Sequence, residues 1–324
     1  MNKETVSKFL FVVVILILVL VVLYSGLQIL ESTVFFGGLN QFQTTSKTII
    51  HNGVRYYPRQ DITVLMILGI NQYGKVVPTE YNHGGSADMI TLLIFDEQTE
   101  ECHVLSLNRD MMVDMPMLNE KGKQVGVLNA QLAYSHAYGE GMHDSCRNVR
   151  MTVSNLLYGL QIDYYVSLNM DAIAVLNDAV GGVKVTVVDD FSQVDPEIPM
   201  GEVVLFGQHA VNFVQARWDV GDQLNLSRME RHKVYMRGFA DALQVKMAED
   251  PTFVLGAYAD ISDYVVTDCS VDVLSKMQAT YGDYSVGQVI SLKGENVLGE
   301  TYYEFYVDEN ALKELVIELL YSPK

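Results

Sequence analysis

The chain is short of positive charge, cysteine and tryptophan. Lysine and arginine total 22 against 40 acidic residues in 324, a net charge of −18 at pH 7. So acidic a molecule repels DNA and anionic lipid headgroups wherever no local basic site intervenes. No nucleic-acid-binding motif is present, and nucleic acid is excluded as a partner. The three cysteines, Cys102, Cys146 and Cys269, allow at most one internal disulfide and leave a thiol over. Their spacing suits no metal site. Cys102 lies in an apolar run, where a small buried hydrophobe is the expectation, and no dependence on a disulfide is expected. There is no Gly-x-Ser-x-Gly elbow and no phosphate-loop fingerprint. His83, His136, His143, His209 and His232 show no metal-ligand spacing and are expected to be packed or surface residues. Trp218, the single tryptophan, is expected in the core, although its place beside Arg217 would also suit stacking on a sugar or a lipid.

What the chain has in abundance is apolar sequence, 49% of all residues. Phe9 to Leu30 covers 22 positions without a formal charge. A helix crosses the hydrocarbon core with about 20 apolar residues. A cleaved signal peptide has a shorter apolar region and a small-residue cleavage site, and neither is seen here. The expectation is an uncleaved anchor over 9–30. Lys3 and Lys8 place residues 1–8 on the cytoplasmic side and everything after the anchor outside the cell membrane. Residues 31–60 are polar and weakly periodic and read as a stalk, leaving 61–324 as one extracytoplasmic domain.

That domain interleaves strands and helices. "ITVLMILGI" is a continuous apolar run of strand length, as a strand buried on both faces would be. "DMITLLIF" and "CHVLSL", separated by "DEQTEE", predict a hairpin in the same sheet. "NVRMTVSNLLYGL" has helical spacing that stops at Gly159. "IDYYVSL" and "VKVTVV" read as strands, and "MDAIAVLNDAVGG" as a helix between them. Ser227-Arg228-Met229-Glu230 predicts a capping box at a helix start, and Asp308 caps a last amphipathic helix. The pattern implies a layered αβα domain with a mixed central sheet, preceded by one transmembrane helix.

The few placed arginines carry the chemistry. Arg109 and Asp110 close the strand run "CHVLSLN", Asp88 ends the loop "NHGGSAD", and Arg217 follows an apolar segment. Ligand sites of layered α/β domains collect at such strand ends. Arg228 at a helix start is mildly unfavourable for folding alone, because that end of a helix already carries partial positive charge. An anion docked there would explain it, since a guanidinium presents a planar fork to phosphate oxygens. The residues therefore form either one phosphate or pyrophosphate site, with Asp88 free for a divalent cation, or a set of separate surface ion pairs.

The order of these motifs resembles the LytR-CpsA-Psr family of membrane-anchored bacterial enzymes. The matching pieces are "VLMILGIN", "GGSADMITLLIFD", "VLSLNRDMMVDMP", "VLNAQLAYSHAYG", "LLYGLQIDYYVSLNMDAIAVLNDAVGGVKVTV", "GQHAVNFVQARW" and "LSRMERHKVYM". The resemblance implies a hydrophobic tunnel for a polyprenyl chain and transfer of a glycopolymer from polyprenyl pyrophosphate to peptidoglycan. It implies Arg109 and Asp110 as catalytic residues and Arg109, Gln215, Arg217 and Arg228 around the pyrophosphate. It also implies Asp88 and Asn71 toward magnesium or manganese. The chain departs from the family pattern where Asn71 replaces an Asp, Tyr73 and Ser86 replace arginines, and Gln215 replaces the first Arg of an Arg-x-Arg pair. Metal affinity is expected to be weakened accordingly. Two functional classes stay open: a working phosphotransferase with a reduced charge set, or a binding module for lipid-linked glycans or a cell-envelope regulatory protein.

Overall fold

The computed structural model describes residues 48–119, 123–222, 225–250, 253–282 and 284–323. The expected anchor over 9–30, and the stalk as far as residue 47, lie outside them. Among the described residues no helix is long and apolar enough to cross a membrane.

Six strands form the central sheet, in the order Val265–Thr267, Tyr164–Asn169, Ile62–Ile70, Ala87–Asp96, Glu101–Leu107, Ser285–Ser291. Ile62–Ile70 pairs antiparallel with Ala87–Asp96 and parallel with Tyr164–Asn169, so the sheet is mixed. The expected hairpin is there, with Ile90 opposite Leu107 and Asp96 opposite Glu101.

Strand side chains alternate between faces, and each face here has its own core. Leu65, Leu93, Phe95, Cys102 and Val166 pack against the helices Met170–Ala179, Gly207–Gln215 and Asn225–Glu249. Val64, Met66, Leu68, Leu92 and Ile94 face the helices His143–Leu156 and Glu309–Leu320. Both faces of the central strands are covered, which is why "ITVLMILGI" reads as unbroken rather than alternating. The layers come very close at Gly238. A Cβ there would collide with the Lys184 carbonyl oxygen, so glycine is what lets the helix Asn225–Glu249 lie against the strand Val183–Val187. That strand pairs with Gly201–Leu205 outside the central sheet.

Three sequence expectations are revised. First, the stalk expected to residue 60 ends earlier. Ile49–His51 and Val54–Pro58 form a hairpin, and Tyr321–Pro323 adds as its third strand. The signal was the dipeptide Asn52-Gly53, whose φ angles of 51° and 79° are those of a type I′ turn. Arg59 then forks onto Asp96, Nη1 to Oδ2 and Nη2 to Oδ1 at 2.6 Å each, tying this segment to the central sheet.

Second, Ser227 is no N-cap, because the helix Asn225–Glu249 already includes it. The Asn225 side chain holds this end instead, donating across 117 positions to Asn108 and accepting from Arg228 within the first turn. Third, Trp218 is 53% exposed rather than buried. Its neighbour Arg217 is held by Asp110, and the exposed Trp218 ring lies against that guanidinium, 5.3 Å from its carbon to the ring centroid. Asp308 does cap the last helix, accepting from the Asn310 and Ala311 amides. All three cysteines are buried free thiols.

Candidate functional site

Three strands deliver residues to one edge of the sheet. Asn71 follows the end of Ile62–Ile70, Asp88 lies at the start of the antiparallel Ala87–Asp96, and Arg109 follows the end of Glu101–Leu107. The chain turns sharply after Leu107. There Asn108 Oδ1 accepts from the Asp110 amide at 3.0 Å, an Asx turn that fixes where Arg109 points. Asn225 Nδ2 bonds the same oxygen at 2.7 Å and joins that turn to the helix carrying Arg228. Gln215 ends the helix Gly207–Gln215, and Arg217 follows two residues on.

The charged groups then alternate in sign as Arg228, Asp88, Arg109, Asp110, Arg217. Asp88 Oδ2 accepts from Arg228 Nη1 at 2.9 Å, and its Oδ1 takes Arg109 Nη1 and, at 3.0 Å, Ser86 Oγ. Arg109 Nε lies 3.4 Å from Asp110 Oδ1. Arg217 forks onto Asp110, with Nη1 3.2 Å from Oδ1 and Nη2 2.9 Å from Oδ2. Asp110 is fully buried and Arg228 is 2% exposed. Of these five charges three are positive, so the site is a cationic island in an acidic molecule. Arg228 Nε is buried without a hydrogen-bond acceptor among the described residues, leaving a donor for an incoming anion. Burial pushes the Arg228 guanidinium down to about 10 against the pull of Asp88, and it stays charged at neutral pH.

The sequence-predicted residues therefore converge, with a difference in roles. Asp110 is too enclosed to touch a substrate and acts by holding Arg217 and Arg109 in place. Asn71 and Gln215 sit on a neutral rim, where Gln215 Nε2 donates to Asn71 Oδ1 at 3.0 Å and Tyr73 donates to Gln215 Oε1 at 2.6 Å.

Below this edge a cavity of about 160 Å³ opens between the sheet and the helix Asn225–Glu249. Ile67, Leu93, Val166, Leu168, Ile173 and Phe239 give it apolar walls, while Asp88, Gln215 and Arg228 mark its polar end. His232 borders it one helical turn beyond Arg228. Its Nε2–H donates to the Val214 carbonyl at 2.9 Å. Burial of the ring, with the Arg228 charge next, pushes it down to about 4. His232 is thus a neutral wall residue. Sequence reading expected His232 to be a packed or surface residue, with no place in the site, and passed over Asn108. Helical spacing of four from Arg228 pointed to the first, and the Asn-x-Asp turn to the second.

The donor set suits a divalent cation poorly. Both Asp88 oxygens and both Asp110 oxygens lie against guanidinium groups, and the Asn71 side-chain oxygen is taken by Gln215. Among the described residues no group of three or more His, Cys, Asp or Glu could hold a metal ion.

Comparison with known proteins bears on family and fold. Residues 39–319 match the model of the LytR_cpsA_psr family. A curated relative from Enterococcus faecalis, polyisoprenyl-teichoic acid–peptidoglycan teichoic acid transferase TagU, is 27% identical over 238 residues, 72% of each chain. Among solved structures, protein gbs0355 from Streptococcus agalactiae superposes with a TM-score of 0.65 at 20% identity, covering 80% of this chain and 86% of that one. TagT bound to LI-WTA superposes at 0.58 and 21% identity, covering 80% and 90%.

Proposed function

The chain belongs to the LytR-CpsA-Psr family, and from that premise we propose that it is a phosphotransferase of the bacterial cell envelope. In this reading it moves a glycopolymer from a polyprenyl pyrophosphate carrier to a peptidoglycan hydroxyl, with residues 9–30 anchoring it in the membrane and the domain outside. The observation that carries the reading is an apolar cavity whose polar end, at Asp88 and Arg228, continues through ion pairs to Arg109 and Arg217. An isoprenoid tail with a pyrophosphate head is a ligand of that shape and polarity. The transferase relative, named for the same kind of reaction, supports it.

The chemistry follows from the charges. Arg109, Arg217 and Arg228 present N–H donors to phosphate oxygens as the carrier binds, Asp110 still holding Arg109 and Arg217, and so stabilise charge that grows in the transition state. The acceptor hydroxyl oxygen forms a bond to the sugar-side phosphorus. The bond from that phosphorus to the bridging oxygen breaks, and polyprenyl phosphate leaves. Asp88, at the cavity mouth, takes the hydroxyl proton on the one oxygen that an arginine vacates for phosphate, its other oxygen staying on a guanidinium. Asp110 keeps two of the arginines aimed.

The test is release of polyprenyl phosphate by the purified chain from a polyprenyl pyrophosphate-linked glycan in the presence of peptidoglycan. Arg109→Ala is expected to lower the rate by about a hundredfold or more, the usual loss when one preorganised charge donor is removed. Parent protein that binds the lipid-linked glycan without releasing polyprenyl phosphate would overturn the enzyme reading in favour of a binding module.

A further inference from the structure

We propose that this site neutralises a pyrophosphate with its own three arginines and takes no resident divalent cation. The inference rests on the pyrophosphate reading above and deepens it.

Magnesium and manganese bind through oxygen donors that are not already committed, most often carboxylates together with substrate phosphates. Each candidate donor here has another occupant. Asp88 gives one oxygen to Arg228 and the other to Arg109 and Ser86, and its backbone carbonyl accepts from Arg228 Nη2 at 3.4 Å. Asp110 is enclosed between Arg217 and Arg109. Asn71 would offer a neutral oxygen, and that oxygen faces Gln215.

Charge points the same way. The five ionised side chains already sum to a positive site before any ligand arrives, and the site is largely shut off from water. A bare dication added there meets three guanidinium groups at short range in a medium that screens poorly. A pyrophosphate brings the opposite charge, and three planar forks present enough N–H donors to share its oxygens. The carboxylates then serve the empty site. They hold the arginines in register and hand them over when phosphate oxygens compete.

The test uses the full chain and farnesyl pyrophosphate as probe, titrated calorimetrically in excess EDTA and in excess magnesium. The expected result is the same affinity in both buffers within about threefold. Manganese alone, followed by its electron paramagnetic resonance signal, is expected to show no stoichiometric site. Asp88→Asn is expected to bind the probe at least as tightly as the parent, because it removes the competing carboxylate. Affinity that drops tenfold or more in EDTA and returns with magnesium overturns the proposal while leaving the pyrophosphate reading intact. Failure of the probe to bind in either buffer overturns both.

Discussion

Asp88→Asn tests the buried charge chain most directly. Asp88 is 8% exposed and is the shared counter-charge of Arg109 and Arg228. An asparagine keeps one acceptor oxygen and turns an amide N–H toward the guanidinium that faces the other position. Breaking one side of a buried ion pair costs about 3–5 kcal/mol. The retained oxygen, and the Asn225 oxygen that also accepts from Arg228, place the cost near the lower end, about 3 kcal/mol. For a domain of this size that corresponds to a fall in Tm of about 6–12 °C, at about 2–4 °C per kcal/mol. Differential scanning calorimetry of parent and variant reads it. Added farnesyl pyrophosphate should narrow the gap, because phosphate oxygens replace the lost carboxylate and binding to the folded state adds stability. A ligand-free variant melting within about 2 °C of the parent would refute the reasoning, since Asp88 would then not be what balances the two arginines.

Arg59→Ala leaves Asp96, 2% exposed, without its fork. The Gln98 and Thr99 amides still reach the carboxylate, so a loss near the low end, about 3 kcal/mol, is expected from urea midpoints, with partial recovery in Arg59→Ala/Asp96→Asn. His232, pushed down to about 4, gives a pH dependence of definite sign. An unfolded histidine titrates near 6.5, so below about 6.5 the unfolded chain binds a proton that the native state refuses. Stability should fall as pH drops from there toward 4, and His232→Gln should flatten that part of the urea-midpoint profile. The opposite slope would contradict the placement. The thiols of Cys146 and Cys269 are pushed up to about 12 by burial, and that of Cys102 higher still. Ellman's reagent should therefore find no reactive thiol in the native protein and three after denaturation; a fast-reacting native thiol would contradict the burial.

Much of the molecule was legible along the chain because its cause is local. "ITVLMILGI" is apolar at every second position on both faces, so a doubly covered strand follows from side-chain alternation alone. The Asp308 cap and the Gly159 stop are set by residues within one helical turn. The Asn52-Gly53 hairpin was equally local, and was missed because the polar residues around it masked the turn signal. The capping box at Ser227 was a local pattern overruled by Asn225, whose side chain bonds to Asn108 far along the chain.

Sequence by itself thus determined the four inner strands of the central sheet, four of the helices, the acidic balance and the identity of the arginines that matter. Only the tertiary structure decided which carboxylate each arginine holds. Arg228 meets Asp88 across 140 positions and Arg217 meets Asp110 across 107, separations at which no periodicity carries information. The cavity belongs to the same class. Its walls come from strands and helices far apart in the chain, and its polar end exists because packing brings Asp88, Gln215 and Arg228 together there.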